Sequence, residues 1–300
     1  METTVNNLIE TLTAKPTGKE IFVSRLQTDD VYVPNSIVPF STISSIPTRK
    51  GLDNAIISNG KIVNVVSNQY GHLPNDVFFK QAEQKLIDAG MKFATRSINR
   101  DDRSFVVDFI LNDDKYVIKI KNGLDKISPM IRLTNSYDGS NKTSGHFGFY
   151  REVCTNGLHV AQSQIKFNLK HRGNILELVM PQVNELVHEF MSNEYYDISK
   201  KFEVLAETAI KDLEGFVRLT TEKINMFKFE KSEKNAEPSL NARMVLDIIN
   251  KESKLFGAEP TLWNGYNAFN EVLHTKLKKT FEQQKNIDAK LFDAIYEMAN

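Results

Sequence analysis

The residues in this chain best suited to chemistry are cations interleaved with aromatic rings. Arg132, Arg151, Lys166, Lys170, His171 and Arg172 stand among Tyr137, Phe147, Phe149 and Tyr150, and Lys119 and Lys121 come just before them. Cations at that density neutralise phosphates and release counterions, while rings between them stack on bases, as in grooves that hold single-stranded nucleic acid. Strand alternation offers the opposite outcome, with the rings in the core and the cations in water. Both outcomes are open at this point.

Catalytic patterns are incomplete. Cys154, with His146, His159 and His171 near it in sequence, has the residue types of a thiolate–imidazole pair, but a lone cysteine at the end of an aromatic strand reads more readily as core. Asp108 and the Asp113-Asp114-Lys115 triplet imitate a metal-dependent nuclease, yet the triplet falls where a turn is expected. Gly18-Lys19 has neither the upstream glycine nor the hydroxyl of a phosphate-cradling loop, and His188-Glu189 lacks the second histidine of a zinc-protease helix. No catalytic residue, metal or cofactor is therefore assigned, and a non-enzymatic protein is expected.

The elements that must position the cations come from hydrophobic periodicity. Ile62, Val63, Val65 and Val66 predict a strand over 61–67. A helix follows, capped by Asn75 or Asp76 and running to about Ala89, with Phe78, Phe79, Ala82, Leu86 and Ile87 as its buried stripe. Phe105 to Leu111 and Tyr116 to Ile120 alternate around Asn112-Asp113-Asp114 and predict a hairpin whose second strand exposes Lys115, Lys119 and Lys121. Further strands are expected over 130–134, 147–153 and 165–169, with links too short for helical crossovers, hence an antiparallel sheet. From about Leu176 the spacing turns helical. Stripes run through Val183 to Phe190, Phe202 to Leu213, Met244 to Ile249, Leu262 to Leu277 and Leu291 to Met298, with a loop over 228–239. The expected class is α+β, a central antiparallel sheet flanked by helices and followed by a helical C-terminal half. Its divisions are an irregular extension over 1–55, the α+β core over 56–175 and a helical region over 176–300.

Composition supports a packed protein: 41% hydrophobic and 25% charged residues suit a globular chain. One cysteine excludes an intramolecular disulfide framework and suits a reducing compartment. No stretch approaches the roughly 18 apolar residues of a membrane span and the first residues do not read as a signal peptide, so a cytoplasmic protein with no membrane partner is expected. The formal net charge is zero, but residues 115–173 hold ten Lys and Arg against three Asp and Glu, a balance of +7. Residues 1–114 stand at −2 and residues 174–300 at −5. That asymmetry points to a polyanion.

Three runs carry a resemblance: Asn135-Ser136-Tyr137-Asp138-Gly139-Ser140, then Arg151 to Leu158, then Phe167 with Lys170-His171-Arg172-Gly173-Asn174-Ile175. Weaker echoes are Val66 to Tyr70 and Thr261 to Ala268. Together they resemble the signature blocks of a phage/plasmid-like family catalogued as domain of unknown function 932, with Tyr137 where that pattern has His or Asn. The resemblance implies a mobile-element origin and a bacterial host cytoplasm, and it implies no activity. Combined with the basic segment, it leads to the expectation of a phage- or plasmid-encoded protein that binds or anneals single-stranded DNA in replication or recombination. A homo-oligomer is expected by analogy with phage strand-annealing proteins. Lys119, Lys121, Lys166, Lys170 and Arg172 would neutralise phosphates, Tyr137 or Tyr150 would stack, and Arg132, Arg151 and His171 complete the set. The rivals are a factor that binds a host protein through the acidic helical half, and an enzyme centred on Cys154 or on Asp108 and Asp113.

Overall fold

The computed structural model describes residues 28–120, 123, 125–151, 157–158, 166–190, 194–232, 235–255 and 259–299. The first sheet is small and antiparallel: β1 (Asn35–Pro39), β2 (Asn54–Ser58) and β3 (Lys61–Val66), in that order. Asn59 and Gly60 join β2 to β3 with φ of +49° and +74°, the positive values that a two-residue turn between twisted strands demands.

Helix α1 (Asn75–Asp88) connects this sheet to a seven-stranded antiparallel one. Its strands are β4 (Phe93–Arg100), β5 (Ser104–Leu111), β6 (Ile118–Ile120), β7 (Asp125–Ser136), β8 (Thr143–Arg151), β9 (Gly157–Leu158) and β10 (Lys166–Leu169). The spatial order is β10-β8-β7-β5-β4, with β6 paired to the start of β7 and β9 to the end of β8. This corrects the expected hairpin. A turn does follow β5, over Asp113 to Tyr116, but β5 pairs with β4 and β7, while β6 pairs with β7, Ile118 opposite Ile127. The cause is that all eight residues of β5 are buried, Val106 and Ile110 on one face and Phe105 and Phe109 on the other. A strand buried on both faces sits centrally and needs a partner along each edge. Strand β4 supplies one edge, although its sequence Phe-Ala-Thr-Arg-Ser-Ile-Asn-Arg carries no clean alternation.

The helical half contains α2 (Ile175–Phe190), α3 (Glu194–Glu207), α4 (Leu213–Ile224), α5 (Leu240–Leu255), α6 (Leu262–Thr275) and α7 (Phe281–Tyr296). The stripe expected from Phe202 to Leu213 divides, because Asp212 caps a new helix by accepting from the Gly215 N–H. The loop expected over 228–239 contains a short hairpin, β11 (Glu230–Ser232) and β12 (Asn235–Pro238). Both α6 and α7 begin with capping boxes, Thr261 with Asn264 and Thr280 with Gln283, which satisfy two terminal donors reciprocally. The fold is thus α+β, antiparallel sheets with a helical C-terminal half.

The two faces of the large sheet differ. Phe105, Val107, Phe109, Leu111, Ile131 and Leu133 alternate onto one face and join the Phe78, Phe79, Ala82 and Leu86 stripe of α1 in a core that also takes in the C-terminal helices. Each such large side chain contributes roughly 1.5–3 kcal/mol by leaving water. The opposite face carries Val106 and a small apolar cluster of Ile110, Met130 and Tyr150. Beside that cluster runs a polar row, and the row is what organises the candidate site.

Candidate nucleic-acid interface

Register places five polar residues side by side: Arg96 opposite Asp108, Asp108 opposite Arg132, Arg132 opposite His146, and His146 opposite Lys166. Arg132 donates to both oxygens of the fully buried Asp108 carboxylate, at 2.5 and 2.6 Å, and Arg96 approaches the same carboxylate at 3.4 Å. Asp108 is therefore spent on guanidinium groups, while Asp113 pairs with Lys115 in the turn. No metal-holding group of three His, Cys, Asp or Glu occurs among the described residues. Cys154, His159 and Lys121 lie outside them.

Four residues expected to touch nucleic acid, Arg132, Tyr137, Tyr150 and Arg151, are buried and engaged within the fold. Arg132 serves Asp108. Arg151, with no exposed side-chain surface, sits between Asp125 at 2.7 Å and Glu252 at 2.6 Å; Trp263 donates to Asp125 at 2.8 Å and Asn264 to Glu252 at 3.1 Å. Burial alone would lower the pKa of the Arg151 guanidinium; the carboxylates of Asp125 and Glu252 outweigh that and raise it. Tyr137 is buried because its hydroxyl accepts from the Asn75 N–H, so a distant tyrosine caps α1 in place of the expected Asn75 or Asp76. Tyr150 belongs to the Ile110 and Met130 cluster. Neither tyrosine presents a ring for a base to stack on.

His171 is half-buried and structural in its contacts. Its Nδ1 donates to the Gly71 carbonyl at 3.1 Å, its Nε2 meets the Thr143 hydroxyl at 3.2 Å, and its ring stacks on Tyr70. Burial lowers its pKa, and the bond to Gly71 partly restores it. Gly71 passes the 172–173 backbone so closely that a Cβ would lie 2.6 Å from the Gly173 carbonyl oxygen.

The remaining cations are exposed. Lys166 lies on β10, the edge strand, and Lys170 and Arg172 follow it directly. Lys119 is exposed on β6 opposite Lys126, about 20 Å from the polar row at the rise of an extended strand.

The fold adds cations that the sequence pattern did not join to these. Arg100 stacks on Phe281 at 3.5 Å and donates to the Lys279 carbonyl, which draws the start of α7 against the polar face. Between them lies a cavity of about 20 Å³ whose lining includes Arg132, Thr134, Lys142, Ser144, His146 and Lys285. Burial lowers the pKa of Lys285; Glu282 opposes this, while Lys166 and Lys142 add to it. His146 is pushed well below the ordinary histidine range by burial and then by Lys285, Arg132 and Lys166. His274 is pushed down to about 3 by burial and then by Arg132, Arg96 and Arg100. Two neutral imidazoles among so many cations mark a region of positive potential. Lys142, Lys166 and Lys285 form no ion pair among the described residues.

These features define an α+β protein with a cation-lined recess between an antiparallel sheet and its C-terminal helix, continuous with a basic sheet edge. The chain belongs to the family described as Domain of unknown function (DUF932), whose model matches residues 62–295, more than three quarters of the length. No curated protein and no solved structure matches it. Among the described residues, the blocks that carried the resemblance largely serve as scaffold. The 66–70, 135–140 and 170–175 runs meet around His171 and Tyr137, and Arg151 meets the Trp263-Asn264 run through Asp125 and Glu252. No helix among the described residues is long and apolar enough to cross a membrane.

Proposed function

We propose that the protein binds nucleic acid through its phosphates, along the β10 edge and the adjoining mouth of the recess. The observation that carries this reading is the exposed run Lys166, Lys170 and Arg172, with no ion-pair partner among the described residues, extended by Lys142 and Lys285 from other elements. Cations without carboxylate partners repel one another, and a polyanion relieves that repulsion while releasing counterions. The reading is non-enzymatic, because Asp108 is neutralised by arginines and the assembled groups are cations and hydroxyls.

Replication or recombination of a mobile element in a bacterial cytoplasm is the setting we infer from the phage/plasmid resemblance. A preference for single strands was tied to Tyr137 and Tyr150; with both rings buried, phosphate contact leads and duplex should compete. Fluorescence anisotropy with labelled single-stranded and duplex DNA over a salt series tests the reading. Submicromolar affinity falling steeply with salt supports it, and absence of binding at low salt overturns it.

A further inference from the structure

A much larger opening lies in the helical half, between α4 and β11. Its volume is about 710 Å³, within the roughly 300–1,000 Å³ of clefts that hold ligands, and Arg218, Thr221 and Glu222 of α4 form one wall. The other wall includes Phe229, Glu230, Lys231 and Ser232, four consecutive residues. Side chains of a strand alternate between its faces, so an unbroken run along one cleft presents the edge of the strand. The pairing agrees. Strands β11 and β12 form a two-stranded sheet with Glu230 opposite Pro238, and the Ser239 N–H donates to the Phe229 carbonyl at 2.6 Å. In an antiparallel ladder the bonded groups of Phe229 then face β12, and the N–H and C=O of Glu230, one residue on, face the other way. An open strand edge therefore borders the cleft. An apolar surface is present too: Phe227 stacks on Phe269 with ring centroids 5.8 Å apart, is only half-buried, and lines the cleft.

Charge narrows the occupant. Arg218 covers the Phe229 ring at 4.2 Å and pairs with Glu230 at 2.6 Å, so those two charges cancel. Lys228 and Lys231 are exposed and have no ion pair among the described residues, against the exposed Glu222. We propose that the cleft takes an extended, acidic segment of a partner protein, added to β11 as a third strand. The segment's main chain pairs with the Glu230 N–H and C=O, an apolar side chain meets Phe227, and carboxylates meet Lys228 and Lys231. A two-stranded hairpin is marginal by itself, and a third strand completes it. A peptide suits this cleft better than a nucleic-acid strand does. A phosphodiester backbone has no donor for the Glu230 carbonyl, and Glu222 and Glu230 would repel its charge. The proposal stands apart from the nucleic-acid reading, which shares no residue with this cleft.

The test uses the full chain and a set of fluorescent octapeptides that alternate Asp or Glu with Val, Leu, Phe or Tyr, beside the same peptides with Lys in place of the acids. Anisotropy should show micromolar binding by acidic members and binding about tenfold or more weaker in the lysine series. N-methylation of alternate residues should abolish binding in one parity and spare it in the other, since only one parity faces β11. Glu230→Pro removes the outward N–H without removing a bond to β12 and should lose the peptide, while Glu230→Ala should keep it. Lys228→Glu with Lys231→Glu should turn the preference toward the lysine series, with circular dichroism and melting unchanged because both side chains are exposed. Absence of binding across the whole set overturns the proposal. Binding indifferent to N-methylation in either parity overturns strand addition. Single-stranded DNA that displaces the peptide, and that is itself weakened by the double charge reversal, would make the cleft a nucleic-acid site and overturn the peptide.

Discussion

Arg151 and Lys285 are both long cations drawn toward the interior, and the protein treats them in opposite ways. Arg151 is wholly enclosed, flanked by Asp125 and Glu252, which are themselves held by Trp263 and Asn264. Lys285 is half-enclosed near Lys142 and Lys166, with Glu282 opposing them. The first arrangement holds β7 and β8 to α5 and α6. A buried ion pair adds little stability relative to a well-packed apolar substitute, but losing one partner is severe because a charge is left behind in the interior. The second arrangement holds nothing together and gathers unbalanced charge where an outside anion can reach it. Balanced burial marks scaffold here, and unbalanced partial burial marks the place to look for a ligand.

The contrast is broken most directly at Arg151. Arg151→Met should leave Asp125 and Glu252 without their cation and lower stability by about 3–5 kcal/mol in urea denaturation. A loss under about 1 kcal/mol would show that the network is dispensable. The open side responds in binding instead. Lys166→Glu with Lys170→Glu should weaken DNA about a hundredfold at low salt and flatten the salt dependence by about two phosphate contacts, with melting little changed, because both side chains are exposed. Unchanged affinity in that variant would remove β10 from the interface.

Acid sharpens the comparison next. His274 is neutral in the fold down to about pH 3, whereas in the unfolded chain it protonates near the ordinary histidine pKa of about 6.5. Between those values the unfolded state binds the extra proton, so stability is full above about pH 6.5 and falls as the pH drops through that window. The slope approaches about 1.4 kcal/mol per pH unit for this histidine, and His146 adds in the same direction. Urea denaturation at several pH values should show the decline, and His274→Asn should make it shallower; an unaltered slope would mean that His274 is not enclosed. The smallest expected effect is Tyr137→Phe, which deletes the hydroxyl that caps α1. It should cost about 1 kcal/mol of stability and leave DNA affinity as it was. A binding defect in that variant would reopen the stacking role.

Family membership and the α+β order of elements were legible because periodicity and short motifs are local. Helix α1 with its Phe78 to Leu86 stripe, the strand at 61–66 and the helical half follow from spacings of two or of three and four residues, which neighbours in sequence enforce. The basic middle was legible for the same reason, since a count of charges needs no register. Local pattern could not settle which partner a strand takes. Strand β5 looked like half of a hairpin with β6, and its two buried faces placed it centrally against β4 and β7. Nor could local pattern tell Arg132 and Arg151 from Lys166 and Lys170, since each looks like a cation near aromatic residues. Tertiary structure separated them by bringing Asp108, Asp125 and Glu252 to the first two and leaving the second two in water. The same register set Arg132 beside His146 and Lys166, and the docking of α7 brought Lys285 to them from more than a hundred residues away in sequence. Sequence by itself determined which elements form and that their charge is uneven, because backbone propensity and side-chain period act over a few residues. Which of those charges are cancelled, and which remain to meet an anion, was decided only in the folded state, because Coulomb interactions depend on distances in space that chain order does not set.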